Sequence, residues 1–147
     1  MVAVLEISLV TESDRAEWEV LARGHHTHFA HDISDDSYEP TWQKLLADRI
    51  RGIIARLDGK AIGVAHYVFH ASVWGNGGRC YLADLFVEPA ARRRGVATAM
   101  INWVATDAKE HGAPRLYWNT LTDAPARALY DRLAKYNEGL ILYTYRR

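Results

Sequence analysis

The segment Val87-Glu88-Pro89-Ala90-Ala91-Arg92-Arg93-Arg94-Gly95-Val96-Ala97-Thr98 joins two elements of opposite kind and constrains the fold most. Ahead of it, residues 80–87 are apolar on both faces apart from Asp84, the pattern of a central strand. Behind it, Val96, Ala97, Met100, Ile101, Val104 and Ala108 recur at helical spacing, which predicts a helix over 94–110 with Gly112 and Pro114 as stop signals. Residues 115–121 then have the pattern of another strand. A strand, a long helix and a strand in direct succession suit a parallel pair, because parallel neighbours need a crossover connection.

The first half of the chain has a different grammar. Residues 1–10 are short and β-branched, a first strand. Thr11 and Ser13 are capping residue types ahead of an amphipathic stretch with Trp18 and Leu21, predicting a helix to about Ala22. Residues 24–40 are polar and His-rich and have the character of a loop, with a short helix following over 41–48. Residues 52–57 and 61–70 flank Asp58-Gly59, whose positive φ angles suit the tight turn of a hairpin. Near the C-terminus, Asp123 is placed to cap a helix with Pro125 in its first turn and Ala126, Leu129, Tyr130 and Leu133 on one face. Residues 140–145 are expected to close the chain as a last strand. The order predicts an α+β fold: a mixed central sheet, antiparallel meander plus one parallel strand pair, flanked by helices.

Composition narrows the setting. A chain of 147 residues suits one domain, and 49% apolar with 24% charged residues is ordinary for a globular protein. Lys plus Arg equals Asp plus Glu at 18 each, so no global field draws nucleic acid or an anionic membrane, and neither partner is expected. No apolar run approaches the ~18 residues that span a bilayer. The N-terminal segment carries Glu6 and no basic stretch, so no signal peptide is expected, and the single Cys80 suits a reducing cytoplasm.

Returning to the 87–98 segment, the start of a long helix leaves N–H groups unpaired at the positive end of the helix dipole, a ready anion site. Gly95 and Ala97 keep it free of bulk and three arginines add charge, although a bare Arg-Arg-Arg-Gly reads first as a solvated turn. The surrounding pattern favours the anion site. Val87, Pro89, Arg92, Gly95 and Ala97 resemble the acetyl-CoA motif V-x-P-x-x-R/Q-x-x-G-x-G/A of the GNAT acyltransferase superfamily, with every spacing kept. A second motif of that family, N-x-x-A-x-x-L-Y, is similar to residues 123–130, with Asp123 where the family has Asn. Residues 81–87, 116–120 and 128–134 further resemble the Hpa-type branch of histone, polyamine and D-amino-acid acetyltransferases. The likeness covers about 52–147 well and the first fifty residues poorly.

The resemblance implies acetyl-CoA as co-substrate, with its pyrophosphate on Arg92, Arg93, Arg94, Gly95, Val96, Ala97 and Thr98 and its pantetheine along Leu85, Phe86 and Val87. Asp123 and Ala126 would complete the cofactor side, Asp123 without the amide donor of the usual Asn. Tyr130 would meet the thioester and protonate the departing thiolate; its alternative is an amphipathic core tyrosine. Asp84, the lone charge of its strand, is a general base, an anchor for a cationic amine, or a structural hydrogen-bond partner. Strand alternation groups Asp84 with Leu82 and Phe86. Because the loop between the first two helices forms a substrate wall in such folds, Tyr38, Glu39 and Trp42 are substrate-pocket candidates.

His25, His26, His28 and His31, followed by Asp32, Asp35 and Asp36, match no H-E-x-x-H or Cys/His spacing, so a solvated loop and no metal are expected. Cys80 has no legible His partner for covalent catalysis. The expected activity is direct transfer of acetyl to a primary amine of a small molecule, polyamine- or amino-acid-like. The competing expectations are a protein or peptide acetyltransferase and a catalytically silent acyl-CoA-binding module. Five Trp and eight Tyr, with a C-terminal strand at an edge, favour a homodimer.

Overall fold

The computed structural model describes residues 2–147; Met1, part of the expected first strand, lies outside the described residues. Five strands form one sheet in the order β1-β2-β3-β4-β5: β1 Leu5–Leu9, β2 Arg51–Leu57, β3 Lys60–Ala71, β4 Gly78–Val87 and β5 Arg115–Tyr117. The first four pair antiparallel and β4 pairs with β5 in parallel, as the strand–helix–strand order requires. Asp58 (φ 51°) and Gly59 (φ 84°) make the tight β2–β3 turn.

Two helices, α1 Arg15–His28 and α2 Tyr38–Leu46, cover one face of the sheet, and α3 Val96–Glu110 crosses the other. On the first face Trp18, Leu21 and Ala22 of α1 and Tyr38 and Trp42 of α2 close over Ile54, Val64 and Phe86. On the second, Met100, Ile101, Val104 and Ala108 of α3 pack on Ile53, Ala65, Tyr67, Cys80 and Leu82. Gly63 permits that crossing, since a Cβ there would stand 2.9 Å from the Met100 sulfur. A buried ion pair bolts α3 to β2. The Arg51 guanidinium donates to both Asp107 oxygens, at 2.8 and 3.1 Å, and the Tyr67 hydroxyl also donates to that carboxylate.

A β-bulge in β4 changes what faces where. Asp84 pairs with His66 but Leu82 pairs with Tyr67, which leaves Ala83 without an opposite residue. The extra residue resets the alternation: Cys80 and Leu82 face α3, whereas Asp84 and Phe86 face α1. The expected grouping of Asp84 with Leu82 is therefore corrected.

Other expectations also change, and the strand expected over 115–121 ends at Tyr117. The first helix continues to His28, because Trp18, Leu21, Ala22 and His25 form one buried stripe against the sheet, so the His-rich segment is largely helical rather than loop. The second begins at Tyr38 rather than Thr41. Helix α4 spans Arg127–Leu133 with Ala126 at its N-cap, and Asp123 is exposed and caps nothing. Residues 140–145 form no strand: the described residues offer them no partner, and Leu140, Ile141, Leu142, Tyr143 and Tyr145 are 75–90% exposed. A strand needs a neighbour for its backbone groups.

Candidate active site

The turn between β4 and α3 leaves a run of backbone donors without partners among the described residues. Arg93 (φ 63°) and Gly95 (φ 75°) are both left-handed, which swings the chain out of β4 and into α3. The amides of Arg93, Arg94, Gly95, Val96, Ala97 and Thr98 find no protein acceptor among the described residues. Six free donors at the start of a 15-residue helix, with nothing within 4 Å of where a Gly95 Cβ would stand, make an open cradle for phosphate oxygens. Arg93 and Arg94 are exposed beside it. Arg92 is otherwise engaged: its Nε donates to the Val87 carbonyl at 2.9 Å, and its guanidinium lies 5.9 Å from the Phe86 ring centre. It locks the turn to the end of β4.

Next to the turn the sheet splits. Pairing between β4 and β5 is confined to Arg79, Cys80 and Tyr81 opposite Arg115, Leu116 and Tyr117. Beyond Tyr81, β4 runs on through Leu85, Phe86 and Val87 with no strand on that side, and the Tyr81 hydroxyl donates to Asn119 Oδ1 at 2.7 Å where the chains part. The outer backbone groups of this half of β4 are free to bond an extended chain, as an added strand would.

Tyr130 stands on α4, beside the α3 side of the sheet. Its ring meets Trp118 edge to face at 5.4 Å and packs against the α3-side core. Its hydroxyl has no partner among the described residues, and burial pushes its phenol up, so it is protonated at neutral pH. Ala126 is exposed one turn earlier.

Asp84 faces the opposite side, toward α1, within a chain of four groups. The Trp18 indole N–H donates to His66 Nε2 at 2.9 Å. Because indole only donates, that nitrogen must accept, so the neutral His66 carries its proton on Nδ1 and gives it to Asp84 Oδ2, 2.9 Å away. The other carboxylate oxygen, Oδ1, lies 3.3 Å from His25 Nε2. Burial opposes the Asp84 charge, but the two imidazoles outweigh it and hold the carboxyl far below the usual range. His25 and His66 are the partners that reading the sequence missed. His25 continues the Trp18-Leu21-Ala22 periodicity by one turn, a signal masked by the poor helix propensity of Gly24 and the histidines. His66 had none, since it meets Asp84 only through the β3–β4 register.

Of the substrate candidates, Trp42 is 4% and Tyr38 6% exposed, both within the α1–α2 core, and Tyr38 bonds His26 Nδ1 at 2.9 Å. Glu39 is exposed and paired with Arg15 at 3.0 Å. Cys80 is fully buried and its thiol is pushed up to about 11 by desolvation, so it supplies no thiolate. A surface concavity of about 350 Å³, lined by His70, His111 and the glycines of the β3–β4 loop, lies at the far end of β4 from this site.

The sheet opens beside its parallel pair, next to the free amides at the start of α3. Residues 10–135 match the acetyltransferase (GNAT) family, and the chain belongs to it. Over 86 residues, 58% of this chain, it is 38% identical to the D-amino-acid N-acetyltransferase HPA3 of Saccharomyces cerevisiae, an Hpa-type relative. The matched segment spans only about half, 53%, of the yeast protein. The fold is shared with the aminoglycoside N-acetyltransferase AAC(6')-Iy in complex with CoA (TM-score 0.84, 22% identity, 100% of this chain and 98% of that one). It is shared too with a ribosomal-protein-alanine N-acetyltransferase from Brucella melitensis biovar Abortus 2308 (TM-score 0.78, 22% identity, 98% and 100%).

Proposed function

We propose that the chain, acting as one acetyltransferase domain, moves acetyl from acetyl-CoA directly to a primary amine of a small polyamine- or amino-acid-like molecule. The observation that carries this is the run of six free amides around left-handed Gly95 beside the unpaired edge of β4. On this reading the cradle from Arg93 to Thr98 receives the pyrophosphate, while Arg92 holds the cradle in shape. Leu85, Phe86 and Val87 bond the pantetheine, and an N–H near Val87 stabilises the oxyanion.

The amine approaches from the α1 side and the thiolate leaves toward α4. Asp84 is ionised and pinned by two imidazoles, which suits anchoring a cationic amine better than taking its proton, because a carboxylate held so low is a weak base. The amine, having given one proton to solvent water, forms the new N–C bond at the thioester carbonyl; the C–S bond breaks, Tyr130 gives its proton to the sulfur, and the surplus proton on the new amide nitrogen leaves to water. Positioning and charge stabilisation do most of the work. The match to a D-amino-acid acetyltransferase supports a small-molecule amine over a protein substrate. The buried, unpaired Cys80 supports a cytoplasmic setting. We also assign a homodimer in which the exposed 140–145 segment finds in a second copy the strand partner it lacks.

Calorimetry with acetyl-CoA should give a micromolar dissociation constant, about −8 kcal/mol. Free CoA should then appear with spermine or D-amino acids faster than with a histone-tail peptide. No heat and no thermal shift with acetyl-CoA or CoA would return the 92–97 turn to a solvated helix start. Binding without CoA release across the amine panel would make the chain a silent acyl-CoA binder.

A further inference from the structure

A second cluster of chemistry-bearing side chains sits at the C-terminal end of α1. Helix α1 is closed there by Ala30, left-handed at φ 54° without being glycine, and the amide of His31 donates back to the His26 carbonyl at 2.9 Å. That closure folds His31 over the last turn. The rings of His25, His26 and His31 form a triangle with centroids 5.4, 5.8 and 6.0 Å apart. One ligand nitrogen from each lies within 4.8 Å of the others.

Hydrogen bonding dictates which nitrogens are free. His25 turns Nε2 toward Asp84 Oδ1, at 3.3 Å, which leaves Nδ1. That Nδ1 is the one buried side-chain polar atom without a partner among the described residues. In the uncharged ring it carries a lone pair facing no donor, in a side chain that is 8% exposed. His26 spends Nδ1 on the Tyr38 hydroxyl, at 2.9 Å, which leaves Nε2. His31 is exposed and makes no side-chain hydrogen bond among the described residues. Two fixed imidazoles, each oriented through its other nitrogen by a carboxylate or a phenol, and a third free to swing, reproduce the layered support of metal-binding histidines.

We propose that His25 Nδ1, His26 Nε2 and His31 bind a divalent first-row transition ion, Zn²⁺ in the first instance, with water in the fourth position. Imidazole suits such ions, and a three-histidine set leaves one position open. Metal–nitrogen bonds of about 2.0–2.1 Å bring tetrahedral ligand atoms to roughly 3.4 Å from one another. The ligand atoms now lie within 4.8 Å of one another, so binding draws the three rings together, and the exposed His31 has the most freedom to move. The ion would satisfy the orphaned nitrogen and, through His25, brace Asp84.

The test uses the full chain without a polyhistidine tag, stripped with chelator and titrated with Zn²⁺ by calorimetry, and with Co²⁺ followed by visible absorption. One equivalent should bind, the melting temperature should rise, and Co²⁺ should give tetrahedral bands. His31→Ala, an exposed position whose change leaves the core intact, should weaken Zn²⁺ at least about tenfold. Asp84→Asn, which removes the carboxylate that orients His25, should weaken it by about 10- to 100-fold. His28→Ala, in the same turn but outside the triangle, should change nothing. The proposal is overturned if the wild-type chain binds no Zn²⁺, if His31→Ala binds it unchanged, or if His28→Ala costs as much as His31→Ala.

Discussion

Tyr130→Phe separates chemistry from packing. The hydroxyl has no partner among the described residues, so its removal orphans no donor or acceptor there, and the ring keeps its contact with Trp118 at 5.4 Å. The fold should therefore be affected by no more than about 0.5 kcal/mol, and acetyl-CoA affinity should survive. If the phenol delivers the proton to the departing sulfur, turnover should fall by a factor on the order of 10² to 10⁴. At 1.36 kcal/mol per decade that is about 2.7 to 5.4 kcal/mol of transition-state stabilisation. The loss should lie in kcat with KM nearly unchanged, because the proton is shared only as the C–S bond breaks. Since burial raises the phenol, wild-type activity should hold through mildly alkaline pH without a falling limb from this group. Steady-state kinetics of CoA release with a thiol reagent, alongside thermal melts, gives every quantity needed. A folded Tyr130→Phe enzyme with wild-type kcat would refute the acid role and leave Tyr130 a packing residue.

Arg51→Met strands the Asp107 carboxylate, which is 7% exposed, in the α3 interface and should cost about 3–5 kcal/mol. At this chain length that is a melting shift of about 6–20 °C. Adding Asp107→Asn, which removes the charge but keeps an oxygen for Tyr67, should recover part of the loss, and a single variant melting with wild type would sink the argument. Burial opposes the Asp14 charge, but the Thr11 amide and hydroxyl and the Arg56 guanidinium prevail, holding its carboxyl below the ordinary 3.8. Its contribution is thus present above that value and lost as pH falls through the lower folded one. The melting gap between wild type and Asp14→Asn should close on going from pH 7 to about pH 2, and a constant gap would exclude the linkage. Light scattering at tens of micromolar should give a dimer mass, and replacing Ile141 and Tyr143 by Asp should return a monomer; a monomeric wild type contradicts the pairing.

The parallel strand pair, the hairpin at Asp58-Gly59 and the strand–turn–helix junction over 87–98 were legible in the chain alone, because each depends on signals a few residues apart. Positive φ selects Asp-Gly, helical periodicity runs through 96–108, and a left-handed glycine opens α3. The limits of the first helix were half-legible: the Trp18-Leu21-Ala22-His25 stripe was present, but local propensity spoke against its last turn and only burial against the sheet overrode it. Which face Asp84 turns to and which partners it meets were not legible. One unpaired residue, Ala83, turns Asp84 from the α3 face to the α1 face, and the partners His66 and His25 reach it from 18 and 59 positions away. The last strand failed for the matching reason. Residues 140–145 have the apolar pattern of a strand, yet a strand is a property of two segments, and tertiary structure alone decides whether a partner is there to accept its hydrogen bonds.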